Sequence, residues 1–183
     1  MTAEMIFGIL LAGLLSENYA ILHFLGTGSV IENERSVKHS LVIGLGTTIV
    51  MVVSTVITWP LQAYVLKSVP YLRTLVFVIV VLLVAEVIHL LAGTGLEGLC
   101  RVDFTKFAIN GAVLGLCIHN TEIPYGEAIL TAAAVGIGFT LTMAAFPTIR
   151  GKVKEASVPR PFRGLPITLL CAGLIALTLL SYG

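Results

Sequence analysis

Asn18-Tyr19-Ala20-Ile21-Leu22 and Asn110-Gly111-Ala112-Val113-Leu114 are one pattern written twice, 110 − 18 = 92 positions apart. The same displacement carries Gly44-Leu45-Gly46-Thr47-Thr48 onto Gly136-Ile137-Gly138-Phe139-Thr140. Nearly the same displacement carries Val69-Pro70 with Arg73-Thr74-Leu75 onto Val158-Pro159 with Arg163-Gly164-Leu165. Three matches in chain order make the protein two halves of one plan, repeat one covering about 1–93 and repeat two about 94–183. If each half holds three membrane spans, the odd number turns the second half upside down, as in many transport folds, and places a site near the bilayer midplane.

Composition sets the solvent: 57% hydrophobic residues, 11% charged residues and a mean hydropathy of +1.00 describe a chain immersed in lipid. A net charge of +1 gives no reason to expect nucleic acid as a partner. The expectation is one integral membrane domain, 1–183. The N-terminal apolar stretch carries Glu4 where a removable leader has basic residues, and it belongs to the first repeat, so it reads as a span.

Apolar windows long enough for a hydrocarbon core of about 30 Å lie near 5–25, 40–60, 72–92, 104–119, 127–147 and 164–181. Their residues do not alternate polar with apolar, which excludes barrel strands and predicts an all-α protein of six spans. Pro60, Pro70, Pro124, Pro147, Pro159 and Pro161 fall at or near the proposed ends, where proline costs least. The loops after spans one, three and five carry Arg35, Lys38, Arg101, Arg150, Lys152, Lys154, Arg160 and Arg163, against chiefly Lys67 and Arg73 on the other side. Cytoplasmic loops accumulate such residues, so both termini are expected on the outer face. The run Arg150 to Lys154 reads as a solvated cytoplasmic loop.

Spans one and four are predicted to be broken or re-entrant. Ser16-Glu17-Asn18 interrupts the first, which ends in Gly26-Thr27-Gly28-Ser29, and Asn110-Gly111 interrupts the short fourth. Polar, glycine-interrupted segments at matching places of two halves point to half-helices lining a site. Gly44, Gly46, Gly136 and Gly138 read instead as positions where helices pack closely. Glu86 lies deep in span three with His89 three residues on, on the same helix face. An ionisable group at such depth costs at least ~2.5 kcal/mol on insertion scales. Glu17, Asn18, Glu86, His89 and Asn110 are therefore the expected ion pathway or midplane polar site. Cys100, Cys117 and Cys171 are singletons without metal-ligand spacing, so no metal site is expected. With no phosphate loop, nucleophile elbow or metalloprotease helix in view, no catalytic residue is assigned.

Four strings together resemble the Rnf/Nqr family of membrane subunits over essentially the whole chain: Ser16 to Gly26, Tyr71 to Phe77, Ile109 to Gly115, and Ile149 to Gly164 with its Ser157-Val-Pro and Pro161-Phe-Arg-Gly elements. The Tyr71-Leu-Arg-Thr-Leu75 string is similar to the Rnf branch, and Glu17-Asn18 to the sodium-pumping NADH:quinone oxidoreductase branch. The resemblance implies a six-helix subunit of a bacterial or archaeal cell membrane. Such a subunit pairs with a homologous one of inverted topology and with flavin-bearing and iron–sulfur subunits. The implied function is electron transfer across the membrane coupled to sodium or proton translocation. The resemblance also implies an intramembrane [2Fe–2S] cluster, whose cysteines in this family stand where this chain has Gly28 and Gly111. Glycine cannot ligate iron, so the expectation is a frame whose cluster is absent or not held by this chain. The family position of Glu86 tends to be Gln, and that of His89 tends to be Glu. The alternative is a cluster-less inverted-repeat ion transporter, or a structural membrane subunit without electron transfer.

Overall fold

The computed structural model describes residues 3–14, 37–95, 110–155 and 159–180. Six α-helices lie among them: α1 (Ala3–Leu14), α2 (Val37–Tyr64), α3 (Arg73–Gly95), α4 (Gly111–Asn120), α5 (Tyr125–Glu155) and α6 (Leu165–Leu180). The described residues contain no strand. Three helices are long and apolar enough to cross a membrane, over Ser40–Tyr64, Pro70–Leu91 and Tyr125–Ile149, whereas α1 and α4 are shorter apolar helices.

The prolines lie near span ends, but not all of them at helix ends. Pro70 opens a 3-10 turn, Leu72 N donating to Val69 O at 3.1 Å. Pro124 accepts from Ala128 N at the start of α5. Pro60 and Pro147, by contrast, lie inside helices, and α5 continues to Glu155, eight residues past its proline. Membrane helices tolerate an interior proline because neighbouring groups re-satisfy the freed backbone.

Helices α2 and α5 form the centre, running antiparallel, with α1, α3 and α4 packed about them and α6 against α5. Their crossing is tight and reciprocal. A Cβ added at Gly44 would come within 2.8 Å of Thr140 Cα, and one at Gly136 within 2.5 Å of Thr48 Cγ2. Gly44 and Gly136 are thus close-packing positions, since only a missing Cβ lets the backbones approach so far. Thr48 Oγ1 lies 2.8 Å from Gly136 O, 2.9 Å from Gly44 O and 3.0 Å from Thr140 Oγ1, and Thr140 Oγ1 lies 3.0 Å from Gly136 O. Gly13 of α1 meets Ala134 of α5 in the same manner, at 2.6 Å for an added Cβ.

Around this crossing Ile43, Val50, Met51, Phe77, Val81, Val113, Leu116, Val135, Phe139 and Met143 form the buried core. Hydroxyls inside it bond back to their own helix, Thr47 to Ile43 O, Thr58 to Ser54 O and Thr142 to Gly138 O, so these polar residues stay satisfied without water. At one end of the bundle Trp59 Nε1 donates to Ile123 O at 2.9 Å, and its ring sits 5.0 Å from that of Tyr125. Tyr64 and Tyr71 are exposed there as well. At the other end, where α2 begins and α5 finishes, Lys38, Lys152 and Arg163 are exposed. Aromatic rings at the level of lipid headgroups and basic residues beyond them are the pattern of a bilayer-embedded bundle.

Candidate functional site

Helix α4 starts where the sequence predicts a break. Asn110 is extended (φ −116°, ψ 131°), and its Oδ1 accepts from Ala112 N at 2.8 Å while its backbone oxygen accepts from Val113 N. This is an Asn N-cap, and it satisfies amides that a helix start leaves free. The ten residues of α4 rise about 15 Å. The other end of α4 is tied down by Asn120, whose Nδ2 donates to Thr55 Oγ1 at 3.3 Å and to Ala128 O at 3.1 Å. Cys117 is buried on that side, against the hydroxyls of Thr55 and Thr58.

Asn110 itself is only 7% exposed, and its Nδ2 is buried without a hydrogen-bond partner. The residue is one of those lining a recess of about 220 Å³, with Val78, Val81 and Leu82 of α3 and Gly111 and Leu114. The walls are almost wholly apolar. The start of a helix also carries a partial positive charge. A capped helix N-terminus thus borders a hydrophobic recess.

The structure brings Asn110 and Gly111 to α3, one turn before Glu86. Glu86 and His89 do not line the recess; Glu86 is exposed on the outer side of α3, and His89 is half-buried with Nδ1 lacking a hydrogen-bond partner. Glu17, Asn18, Gly28 and Cys100 lie outside the described residues. The clasp between Asn120 and Thr55 escapes a reading of the sequence, because a polar residue at a span end looks like solvent-facing punctuation. Its signal is the pair of hydroxyls Thr55 and Thr58, one turn apart in an otherwise apolar run.

A thiolate-held cluster does not match the described side chains. Gly111 has none. Cys117 is six residues further on, about 9 Å along the helix and two-thirds of a turn round it. It faces α2 rather than the recess. Among the described residues no group of three or more His, Cys, Asp or Glu converges, and both cysteines, Cys117 and Cys171, are free.

Among the described residues, a helical bundle without strands and with three membrane-length apolar helices defines a multi-pass membrane protein. The profile described as "Rnf-Nqr subunit, membrane protein" matches residues 6–183, and the chain belongs to this family. The chain is similar to proteins named as the A subunit of an ion-translocating oxidoreductase complex. One from Syntrophotalea carbinolica is 31% identical over 181 residues, covering 95% of this chain and 94% of that protein. One from Thioalkalivibrio sulfidiphilus is 31% identical over 182 residues with the same coverage. A third, from Vibrio campbellii, is 29% identical over 182 residues, again covering 95% and 94%.

Proposed function

We propose that the chain is an integral membrane subunit of an Rnf/Nqr-type, ion-translocating electron transport complex. Its companions are flavin-bearing and iron–sulfur subunits, together with a homologous six-helix subunit. The observation that carries the reading is the family match over residues 6–183, with relatives named as subunits of an ion-translocating oxidoreductase complex. No catalytic step is assigned to the chain's own residues. Its part is to frame a crossing point in the bilayer, near Asn110, with Glu17, Asn18, Glu86 and His89 as the polar neighbours of an ion path. The cluster of the family is either absent or held by other chains, because the positions of its cysteines are Gly28 and Gly111.

The frame is read as two inverted three-span repeats in one domain. Support comes from the α2–α5 crossing. Thr48 and Thr140 are 92 residues apart and hydrogen-bonded to each other. Gly44 packs on Thr140 and Gly136 on Thr48, so each repeat presents the same Gly-and-Thr surface to its own copy. Contacts that exchange in this way are what a two-fold relation produces. The basic end of the bundle is assigned to the cytoplasm of a bacterial or archaeal cell, which leaves both termini outside.

Purification of the tagged chain from its native membranes in mild detergent tests the reading. Flavin- and iron–sulfur-bearing subunits, with a second six-helix subunit, are the expected companions. A chain that purifies alone and carries sodium across liposomes would establish the alternative, a cluster-less transporter, which the two glycines favour.

A further inference from the structure

The exposed faces of the long helices are not alike. On α2 the outward stripe is Leu41, Leu45, Ile49, Val53, Val56 and Ile57, aliphatic throughout. That is the surface a helix turns to lipid, which offers no hydrogen bond to a polar group. On α3 the outward stripe runs Ile79, Leu83, Glu86 and Leu90, all exposed, with a carboxyl among the aliphatic side chains. With about 3.6 residues per turn, Glu86 falls inside the arc that Leu82 and Leu83 bracket, not at its edge. Glu86 makes a polar contact within its own chain, and the residue stays exposed all the same.

Depth makes that exposure costly. Glu86 lies 91 − 86 = 5 residues, about 7–8 Å, inside the Leu91 end of the membrane-length segment Pro70–Leu91. An ionisable side chain there is expensive against hydrocarbon and is normally turned to protein or to a water-filled space. Helix α3 is also the least enclosed of the three membrane-length helices: 22% of its apolar window is buried, against 50% in α2 and 59% in α5. Ile79, Leu83, Glu86 and Leu90 follow one another at steps of four, three and four, the spacing at which one helix seats against another.

Charge and orientation narrow what covers the stripe. Helix α2 begins at the basic end and α3 returns from the aromatic end, so Glu86 lies toward the basic end. Neighbouring proteins of the same membrane gather their own Lys and Arg on that side. Such a residue, rooted near the end of a facing helix, reaches the depth of Glu86 along its aliphatic stem. A second copy of this chain fits less well. Two copies in one membrane are related by an axis along its normal, which sets Glu86 opposite Glu86 at one depth, a repulsive pair. We infer that the face of α3 carrying Ile79, Leu83, Glu86 and Leu90 docks a transmembrane helix of a different subunit, whose Lys or Arg pairs with Glu86. This rests on the complex-subunit reading and names where one companion sits.

The test uses the tagged full chain in its native membranes, with Leu83→benzoylphenylalanine on the stripe of α3 and Ile49→benzoylphenylalanine on the stripe of α2. Illumination should join position 83, and not position 49, to another membrane subunit, at a peptide that carries Lys or Arg. Glu86→Lys should lower the yield of that adduct about tenfold, as expected where one member of a desolvated charge pair is reversed. Glu86→Leu should lower it too, while the thermal midpoint of the isolated chain in detergent stays unchanged, because Glu86 is outside the core. Changing the partner's basic residue to Glu should restore the adduct in the Glu86→Lys chain. Companions that co-purify without an adduct from position 83, equal adducts from 49 and 83, an adduct to a second copy, or a yield indifferent to both Glu86 variants would each overturn the docking proposal and leave the complex reading standing. A chain that purifies with no companion would overturn both.

Discussion

The α2–α5 crossing and the α3–α4 recess are opposite in construction. At the crossing, glycines remove every spare atom, and two threonine hydroxyls close on one another and on backbone oxygens. At the recess, a glycine and an asparagine leave space and an unused donor. Small and polar residues in an apolar helix therefore have two meanings. Where each finds its counterpart in the facing helix, they hold the bundle together. Where one is left over, the packing leaves a recess and an unused donor.

The hardest way to break that contrast is Gly44→Leu. Even a methyl group there meets Thr140 Cα at 2.8 Å, backbone that cannot turn aside, so the two central helices must separate. Overpacking of this kind costs about 1–3 kcal/mol for a small excess and more for a larger one. Gly44→Leu should yield little monodisperse protein in detergent, and Gly44→Ala a lowered thermal midpoint. Gly136→Ala is expected to cost less than Gly44→Ala, because its nearest opponents are side-chain atoms of Thr48. The reverse order in a thermal melt would mean that α2 and α5 do not cross as described.

Asn120→Ala comes next. It removes bonds to Thr55 and Ala128 O that anchor the end of α4, and it leaves those groups buried, a cost of about 1–3 kcal/mol. Asn110→Ala should cost about 1 kcal/mol through the lost cap, while Asn110→Ser should recover most of it. If serine does not restore stability, Asn110 supports the fold through more than its cap, and the contrast between crossing and recess weakens. The smallest effect belongs to Thr48→Val. Interhelical hydrogen bonds in membranes average about 0.6 kcal/mol, so the melt should shift little although the hydroxyl has three partners.

Much of the fold was legible in the chain. Long apolar runs predict helices in lipid whatever their order, and the displacement of 92 residues pairs Thr48 with Thr140 before any contact is known. The break at Asn110 was also visible, since asparagine followed by glycine interrupts an apolar stretch; that it is the capped start of a helix was not. The paths through Pro60 and Pro147 were not. Proline reads as a terminator in water, yet in a bundle the neighbours carry the helix onward, to Glu155 in α5. Glu86 and His89 were readable as costly residues on one face of α3, but not as residues beside the recess rather than in it.

By itself the sequence determined the solvent, the helical class and the repeat, because these follow from hydropathy and local pattern, which every residue carries with it. Tertiary structure alone decided which small residues became a seam and which became a recess. Gly44 and Gly111 are equally bare along the chain. One meets Thr140 of a facing helix, and the other borders a space beside α3. Absence of a side chain has no consequence until another element either fills the room it leaves or stops short of it.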